Sequence, residues 1–462
     1  MTQTNARQAL PLGPYDRFFL ASGMALRAKG LPEHHVFARV LLRGSIDCEL
    51  LRRQIRSLYE RTPLLTAQLR ISKVLKQPSW RLGEMQTIDS RIQLEVIDLR
   101  REEGPSRSRD ELLIAALNEK SACFGNPDLR FWLLHHSDDE YELVIRWPHH
   151  LTDLSGVEQW LGEIGKTESG HASPFPPHRV GKSHYGGLRA WLRGMWHLRT
   201  ISFLKGNRLK AKPPKGGQST ETLHHGFSVN ETSTIVAAAR RTCTPGPLLH
   251  TRWQLAAVVR AIDSIFARSD VHLRDNYLIS LPMRNNHSAV ARQQFGNNIT
   301  IDTLVLNRDC LKDPCATDRA LAAQLSDHSR RRLDDANLAT TAFVGKFPLP
   351  LYGWLLRRFR IFPRFSIAFT SYRVDAKLGE FLGCRVTDFS TWGVPTSPPG
   401  IIAAFCRFED RLNFSLTYFT HVCSSELARE ICSEIVAKLG IGVDSGEGVR
   451  TNEVSTSQRA TN

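Results

Sequence analysis

His149, His150 and Asp153 lie within five residues of one another in the run Trp147–Gly156. An imidazole titrates near neutrality, so a histidine held at a fixed point can take a proton from a hydroxyl or amine and return it at working pH. Adjacent histidines at a strand end also occur as half-exposed polar residues, and an aspartate before an apolar run also suits a helix N-cap. The elements around the three residues decide which chemistry is available to them.

Upstream, Leu143, Ile145 and Trp147 alternate with Val144 and Arg146, the period of a half-buried strand. Downstream, Ser155 and Glu158 have capping-box spacing, which predicts a helix beginning near Ser155. That helix sends Val157, Trp160, Leu161 and Ile164 into the core. A rigid strand thus delivers two histidines to a tight bend.

The chain of 462 residues is 41% hydrophobic, enough for two domains with substantial cores. Its N-terminus lacks a basic start with an apolar stretch behind it, and no run approaches the ~18 apolar residues of a spanning helix, so a cytoplasmic location is expected. Nine scattered cysteines without a CxxC pair predict reduced thiols, with no disulfide and no metal site. The formal charge is +15, and between Arg179 and Lys215 there are ten Lys or Arg residues with no Asp or Glu. Charge concentrated in this way points to an acidic carrier protein, coenzyme A phosphates or anionic lipid. No nucleic-acid-binding motif accompanies it.

Taken in order, Leu12–Leu20 is a short aromatic segment, and Val36–Gly44 alternates as a strand. Asp47 caps a helix that carries Leu51, Ile55 and Leu58, and a passage from Glu60 to Arg70 follows it. Ile92–Leu99 reads as a strand, Arg109–Ala122 as a helix and Leu129–His136 as a strand, with His135 and His136 at a solvated turn. This order describes one mixed layer with helices on one side. Ser173–Pro177 closes it, and Lys212–Gly217 ends a linker. Beyond lie a helix through Ala239, another over Leu248–Phe266, a strand at Ile279–Asn285 and Phe295–Ile301 with its Gly-Asn pair. Phe365–Ser371, Asp388–Pro395, Leu412–Phe419 and a helix over Ser424–Leu439 complete the ordered chain.

In this order the landmarks resemble the acyltransferases typified by chloramphenicol acetyltransferase, peptide-synthetase condensation domains and bacterial wax ester synthase/diacylglycerol acyltransferases, whose hallmark is HHxxxDG. Two registers are open. With Asp153 as the motif aspartate, His149 is the second histidine, Pro148 replaces the first and Leu154 replaces the glycine. With His149 and His150 on the histidine pair, the aspartate falls on Leu154 and is lost. The spacing from Asp153 to Trp160, Leu161 and Ile164 is similar to the family's helix and favours the first register.

The resemblance implies an α/β fold of two chloramphenicol-acetyltransferase-like lobes, each a mixed sheet with helices, and an active site in the cleft between them. The expected divisions are 1–178, a basic amphipathic linker over 179–219, a second lobe over 220–442 and a disordered tail over 443–462. The function implied is transfer of an acyl group from a coenzyme A or carrier-protein thioester to an alcohol or amine. His149 would be the general base, His150 would lie beside it, and Asp153 would be fixed by a salt bridge to Arg284. Thr370 and Ser371 are candidates for the oxyanion or acyl tunnel, and Asp388–Pro395 is a structural segment. No cofactor is bound permanently, since acyl-CoA or acyl-phosphopantetheine is a co-substrate. A stand-alone monomer is expected. The alternatives are a degenerate member that binds a carrier protein or lipid, favoured by Pro148 and Leu154, and an enzyme of this fold that makes amides.

In the linker, Leu188, Trp191, Leu192, Met195 and Leu198 share a predicted helical face flanked by Arg189, Arg193, His197 and Arg199. Arg189, Trp191, Arg193, Trp196, Lys205, Arg208 and Lys210 are therefore the expected contacts with an anionic membrane or a carrier protein.

Overall fold

The computed structural model describes residues 9–72, 76–82, 88–100, 109–120, 124–167, 187–209, 219–268, 273–284, 296–358 and 364–441. Lys210, the side chain of Arg284 and the tail over 443–462 lie outside the described residues.

The first half runs β1 (Ala9–Pro11), α1 (Pro14–Arg27), β2 (His35–Arg43), α2 (Cys48–Arg61), the single turn α3 (Pro63–Thr66), β3 (Gln68–Ile71), β4 (Pro78–Arg81), β5 (Gln93–Asp98), α4 (Arg109–Asn118), β6 (Arg130–Ser137), β7 (Glu140–Pro148) and α5 (Leu154–Ile164). The linker helix α6 (Gly187–Ser202) follows, then β8 (Thr220–Phe227), α7 (Val229–Thr242), α8 (Leu249–Arg268), β9 (Asn276–Arg284), β10 (Ile299–Asn307), α9 (Pro314–Arg330), α10 (Leu333–Val344) and α11 (Leu349–Arg358). The chain ends with β11 (Ile367–Arg373), β12 (Glu380–Phe381), β13 (Cys384–Gly393), β14 (Ile401–Phe408), β15 (Arg411–Phe419) and α12 (Ser425–Lys438).

Two six-stranded sheets carry the lobes, in the orders β12-β13-β2-β7-β6-β5 and β10-β9-β11-β14-β15-β8. In the first, alternation sends Ala38, Val40, Leu143 and Ile145 to one face, where they meet Leu51, Ile55, Trp160 and Ile164 of α2 and α5. The other face is not bare. Phe37, Trp132 and Val144 meet Leu113, Ala116 and Leu117 of α4 there, so the expected layer with helices on one side is a sheet covered on both.

The expected boundary at 220 also differs from the sheet pairing. β13, from the second half of the chain, pairs antiparallel with β2 from Arg385 opposite Arg43 to Gly393 opposite Val36. It is fastened back to its own half by Asn413 Nδ2, which donates to Asp388 Oδ1 at 2.6 Å and to the Phe389 carbonyl at 2.9 Å. Ser415 Oγ adds a bond to the Thr391 carbonyl at 2.9 Å. The second half thus lends β12 and β13 to the first sheet, and Asp388 sits between Asn413 and Arg39 at the seam.

The linker helix rests on the protein through its small residues. Ala190, Gly194 and Ile201 are its buried residues, and it packs on α10. A Cβ at Gly194 would strike the Ala336 carbonyl and the Thr340 hydroxyl, so glycine permits this close approach. Leu188, Leu192 and Met195 stay exposed, while Trp191 packs at 5.0 Å on Phe343. No helix among the described residues is long and apolar enough to cross a membrane.

Strand β7 reaches the motif through a buried guanidinium. Arg146 is fully buried, donates to the Ala116 carbonyl at 2.9 Å and to Glu119 at 2.8 Å, and pairs with Asp128. Asp128 in turn takes a bond from Arg130 at 2.9 Å and faces His35 at 3.9 Å. These charges hold α4 and the β6 approach to the strand that ends at His149. Removing one partner of such a cluster leaves uncompensated charge in a dry interior, so Arg146→Met should lower unfolding free energy by about 3–5 kcal/mol. Urea denaturation measures the change, and Arg43→Met, at a solvent-exposed pair, should stay within about 0.5 kcal/mol of the parent.

Candidate active site

The bend after β7 is built mainly from backbone bonds. Pro148 ends the strand opposite His35, and the His149 amide donates to the His34 carbonyl at 2.8 Å. Leu151 N closes a turn on the Pro148 carbonyl, and Trp147 Nε1 reaches over it to the Thr152 carbonyl at 3.0 Å. Helix α5 then starts two residues earlier than the expected cap implies. Asp153, not Ser155, is the N-cap, and its Oδ1 accepts from Gly156 N at 3.1 Å. Glu158, freed from the expected capping box, accepts from the Tyr372 hydroxyl and the Asp375 amide of the other lobe. Leu154, at the motif glycine position, is the first helical residue and does not take a positive φ. Leucine is therefore compatible with this backbone.

The second lobe grips this bend through Gly296, Asn297 and Asn298. Asn297 Nδ2 donates to the His149 carbonyl at 2.6 Å and to Asp16 Oδ1 at 2.8 Å. The Asn297 amide also reaches Asp16, at 3.0 Å, and Asn298 N donates to Asp153 Oδ2 at 3.0 Å. Gly296 supplies the turn with φ of +108°, which a side chain would resist. Asp16 is buried and caps its own helix by accepting from Gly13 N at 2.9 Å. Three segments far apart in sequence thus meet at the carbonyl of one histidine.

The ring of His149 is half-buried and stacked on Phe19, centroids 3.7 Å apart with planes at 10°. Its Nδ1 is buried without a hydrogen-bond partner. Burial pushes its pKa down to about 4, which keeps the ring neutral at working pH. His150 is buried behind it, stacked over Trp80 at 5.8 Å. His34, bonded to Ser22 Oγ at 2.9 Å, completes a cluster of imidazoles around the bend.

Between the lobes lies a cleft of about 720 Å³. Tyr15, Phe18 and Ser22 of α1 form one wall, with Ile301 and Thr303 of β10, Asn337 and Thr341 of α10, and Pro398 and Pro399 around it. His149, His150 and Asp153 are not among the residues that line it; the His149 ring is stacked on Phe19 of α1. Tyr15 closes the floor by accepting from Ile301 N at 2.9 Å.

The expected site residues divide into those the fold brings together and those it does not. His149 and Asp153 are tied to one turn, through Asn297 and Asn298, and Arg284 lies across from Ile299 in the β9–β10 pair, one residue from the Asn298 that bonds Asp153. Ser371 turns away, with its hydroxyl donating to Gln254 of α8 at 2.7 Å. Thr370, one residue before it, shares the strand face of Tyr372, whose hydroxyl reaches Glu158. His135 and His136 are not at a turn. His135 stacks on Tyr141 at 4.3 Å and His136 meets Glu142 at 3.3 Å, both within β6. Of the linker cations, Arg208 lines the cleft and Arg193 donates to the Arg331 carbonyl at 2.6 Å, while Arg189 and Lys205 are exposed. Asp16, Phe19 and His34 were not legible as site residues. The Gly-Asn-Asn turn was visible as a landmark, without the side-chain role of Asn297.

Burial holds the pKa of His34, His35 and His150 down at about 3, with His149 adding to the first and last and Arg146 to His35. Unfolded, these rings titrate near 6.5. Between the two values the unfolded chain binds more protons, so stability present at neutral pH is lost as pH falls from about 6.5. Each such ring should cost about 2 kcal/mol by about pH 5. Thermal unfolding across that range should show a steady drop in midpoint; a flat midpoint would contradict the buried neutral cluster.

No protein-family model and no curated protein matches this sequence. Solved structures do. The first condensation domain of the calcium-dependent antibiotic synthetase superposes with a TM-score of 0.69 at 13% identity, covering 94% of this chain and 96% of that one. The starter condensation domain of rhizomide synthetase, solved with C8-CoA and Leu-SNAC, gives 0.65 at 11%, covering 96% of both. Trichothecene 15-O-acetyltransferase from Fusarium sporotrichioides gives 0.66 at 12%, covering 93% and 94%. With its two mixed sheets, the first completed by strands of the second half, and its interlobe cleft, the chain has the two-lobed chloramphenicol-acetyltransferase-like fold of condensation domains and this acetyltransferase.

Proposed function

We propose that the chain is an acyltransferase, with His149 as the general base, that moves an acyl group from a coenzyme A or carrier-protein thioester to a hydroxyl or amine. The observation that carries this reading is the placement of His149, whose backbone is held from both lobes and whose ring is neutral. Nε2 takes the acceptor's proton as its oxygen or nitrogen attacks the thioester carbonyl carbon. The tetrahedral intermediate collapses, the carbon–sulfur bond breaks, and the imidazolium returns the proton to the thiolate. No acyl-enzyme forms. Thr370 is the better placed of the two hydroxyls for the oxyanion, since Ser371 already donates to Gln254. Two neighbours in fold support the substrate classes: the rhizomide synthetase domain was solved with C8-CoA, and the Fusarium enzyme is named as an O-acetyltransferase. On this reading Arg284 pairs with Asp153, which turns the carboxylate into an anchor for the bend.

The second reading, a binding module for a carrier protein or lipid, is favoured by the Phe19 ring lying over His149. Thiol release from a panel of acyl thioesters offered alcohols and amines separates the two. Absence of turnover with every donor, while a carrier or lipid binds, selects the binding module.

For the enzyme, His149→Ala should cut turnover by about 100-fold or more, and His150→Ala should cut it less. The reverse order would move the motif register by one residue. Asp153→Ala and Arg284→Ala should each lower stability and kcat, and the double variant should lose less than the two losses added. Strict additivity in that cycle would remove the proposed pair.

A further inference from the structure

Among the described residues, nine of the twelve exposed large apolar side chains fall on α6, the residue after it, and α10–α11. Scattered exposed leucines need no explanation, but a cluster of this kind marks a binding surface. On α6 and its exit, Leu188 is 69% exposed, Trp196 73% and Phe203 74%, with Leu192 at 52%. Phe343 and Phe347 continue the surface through Trp191, with ring centroids 5.0 and 6.0 Å apart along the series. The helix is anchored by its opposite side, at Ala190, Gly194 and Ile201, so packing on α10 leaves this face uncovered.

The charged side chains of α6 and its exit are all cations, and the acids of α10, Asp334 and Asp335, stand at the opposite end of that helix from Phe343. Arg189, Arg199 and Lys205 are exposed beside it. In sequence, the stretch from Arg179 to Lys215 holds ten Lys or Arg and no acid, and that from Lys346 to Arg373 holds six and no acid. Indole and phenyl rings standing out of a basic helix suit the boundary between headgroups and acyl chains, where the rings enter and the cations meet lipid phosphate.

We infer that this surface docks the protein on an anionic lipid bilayer. The cleft shares its walls with the docking elements, through Leu198 of α6, Asn337 and Thr341 of α10 and Leu356 of α11. Docking therefore sets the cleft beside the membrane surface, where an amphiphilic substrate resides. Only that last consequence rests on the acyl-transfer reading.

Flotation of the full chain with vesicles tests the docking. Vesicles of phosphatidylcholine and phosphatidylglycerol in equal parts should bind about tenfold more protein than phosphatidylcholine alone, and high salt should release most of it. Trp196→Ser with Phe203→Ser should lower binding about tenfold without moving the thermal midpoint, since both side chains stand in solvent. Arg189→Gln, Arg199→Gln and Lys205→Gln together should remove the preference for anionic vesicles. His149→Ala should bind vesicles like the parent, so a failed acyl-transfer reading leaves this result standing. Equal flotation with both vesicle types, or none, overturns the inference. So does a dimer in sedimentation velocity that the Trp196 and Phe203 substitutions dissociate, which would assign the patch to a second copy of the chain.

Discussion

One carboxamide holds the site together. Asn297 offers its two Nδ2 protons to acceptors from different parts of the chain, the His149 carbonyl and the Asp16 carboxylate. Neither acceptor is replaceable by water without cost, because Asp16 is buried and the bend has little room for exposed backbone. Asn298 extends the clasp to Asp153, so the histidine bend is held at both ends by one turn of the opposite lobe. The interlobe geometry and the position of the candidate base are therefore a single constraint. A rotation of the lobes that broke the clasp would move His149.

A second constraint stiffens the same region. β13 adds to the first sheet while its neighbours in sequence remain in the second, and Asn413 and Ser415 bond it across the seam. Glu158 of α5 makes a further tie to Tyr372 and Asp375. Against this rigid frame the buried charges of Arg146, Glu119 and Asp128 fix the approach of β7. Such a network is costly to bury and costly to break, which is the balance expected where position counts more than stability. The same dry environment keeps the imidazoles of the bend neutral, the form a proton acceptor needs.

The two departures from the HHxxxDG pattern have local structural answers. Pro148 sits at the last position of β7, opposite His35, where a strand can end on proline. Leu154 occupies the first turn of α5 with an ordinary helical backbone, so the usual glycine is not a conformational necessity here. Phe19 stacks on the ring of His149, and His34 bonds Ser22 of the cleft wall.

The sequence by itself determined the elements and their order. The alternation of Leu143, Ile145 and Trp147 specified β7, and Asp47 specified the start of α2 through its side-chain cap. These are local signals, written in the residues that form the bonds. The His-x-x-x-Asp spacing likewise located the candidate base, because strand, bend and helix are contiguous. Tertiary structure alone decided the rest. Asp16 and Asn297 are 281 residues apart, and no local pattern couples them. The Asp388–Pro395 segment falls within the expected second lobe, and only the pairing of whole sheets sends its strand to the first. On α6 the periodicity identified an amphipathic helix but not which face is covered, since that depends on where Gly194 lets α10 approach. Ser155 and Asp153 compete for one helix start by the same local rules, and the bond from Asn298, a residue of the other lobe, goes to Asp153, the residue that caps the helix.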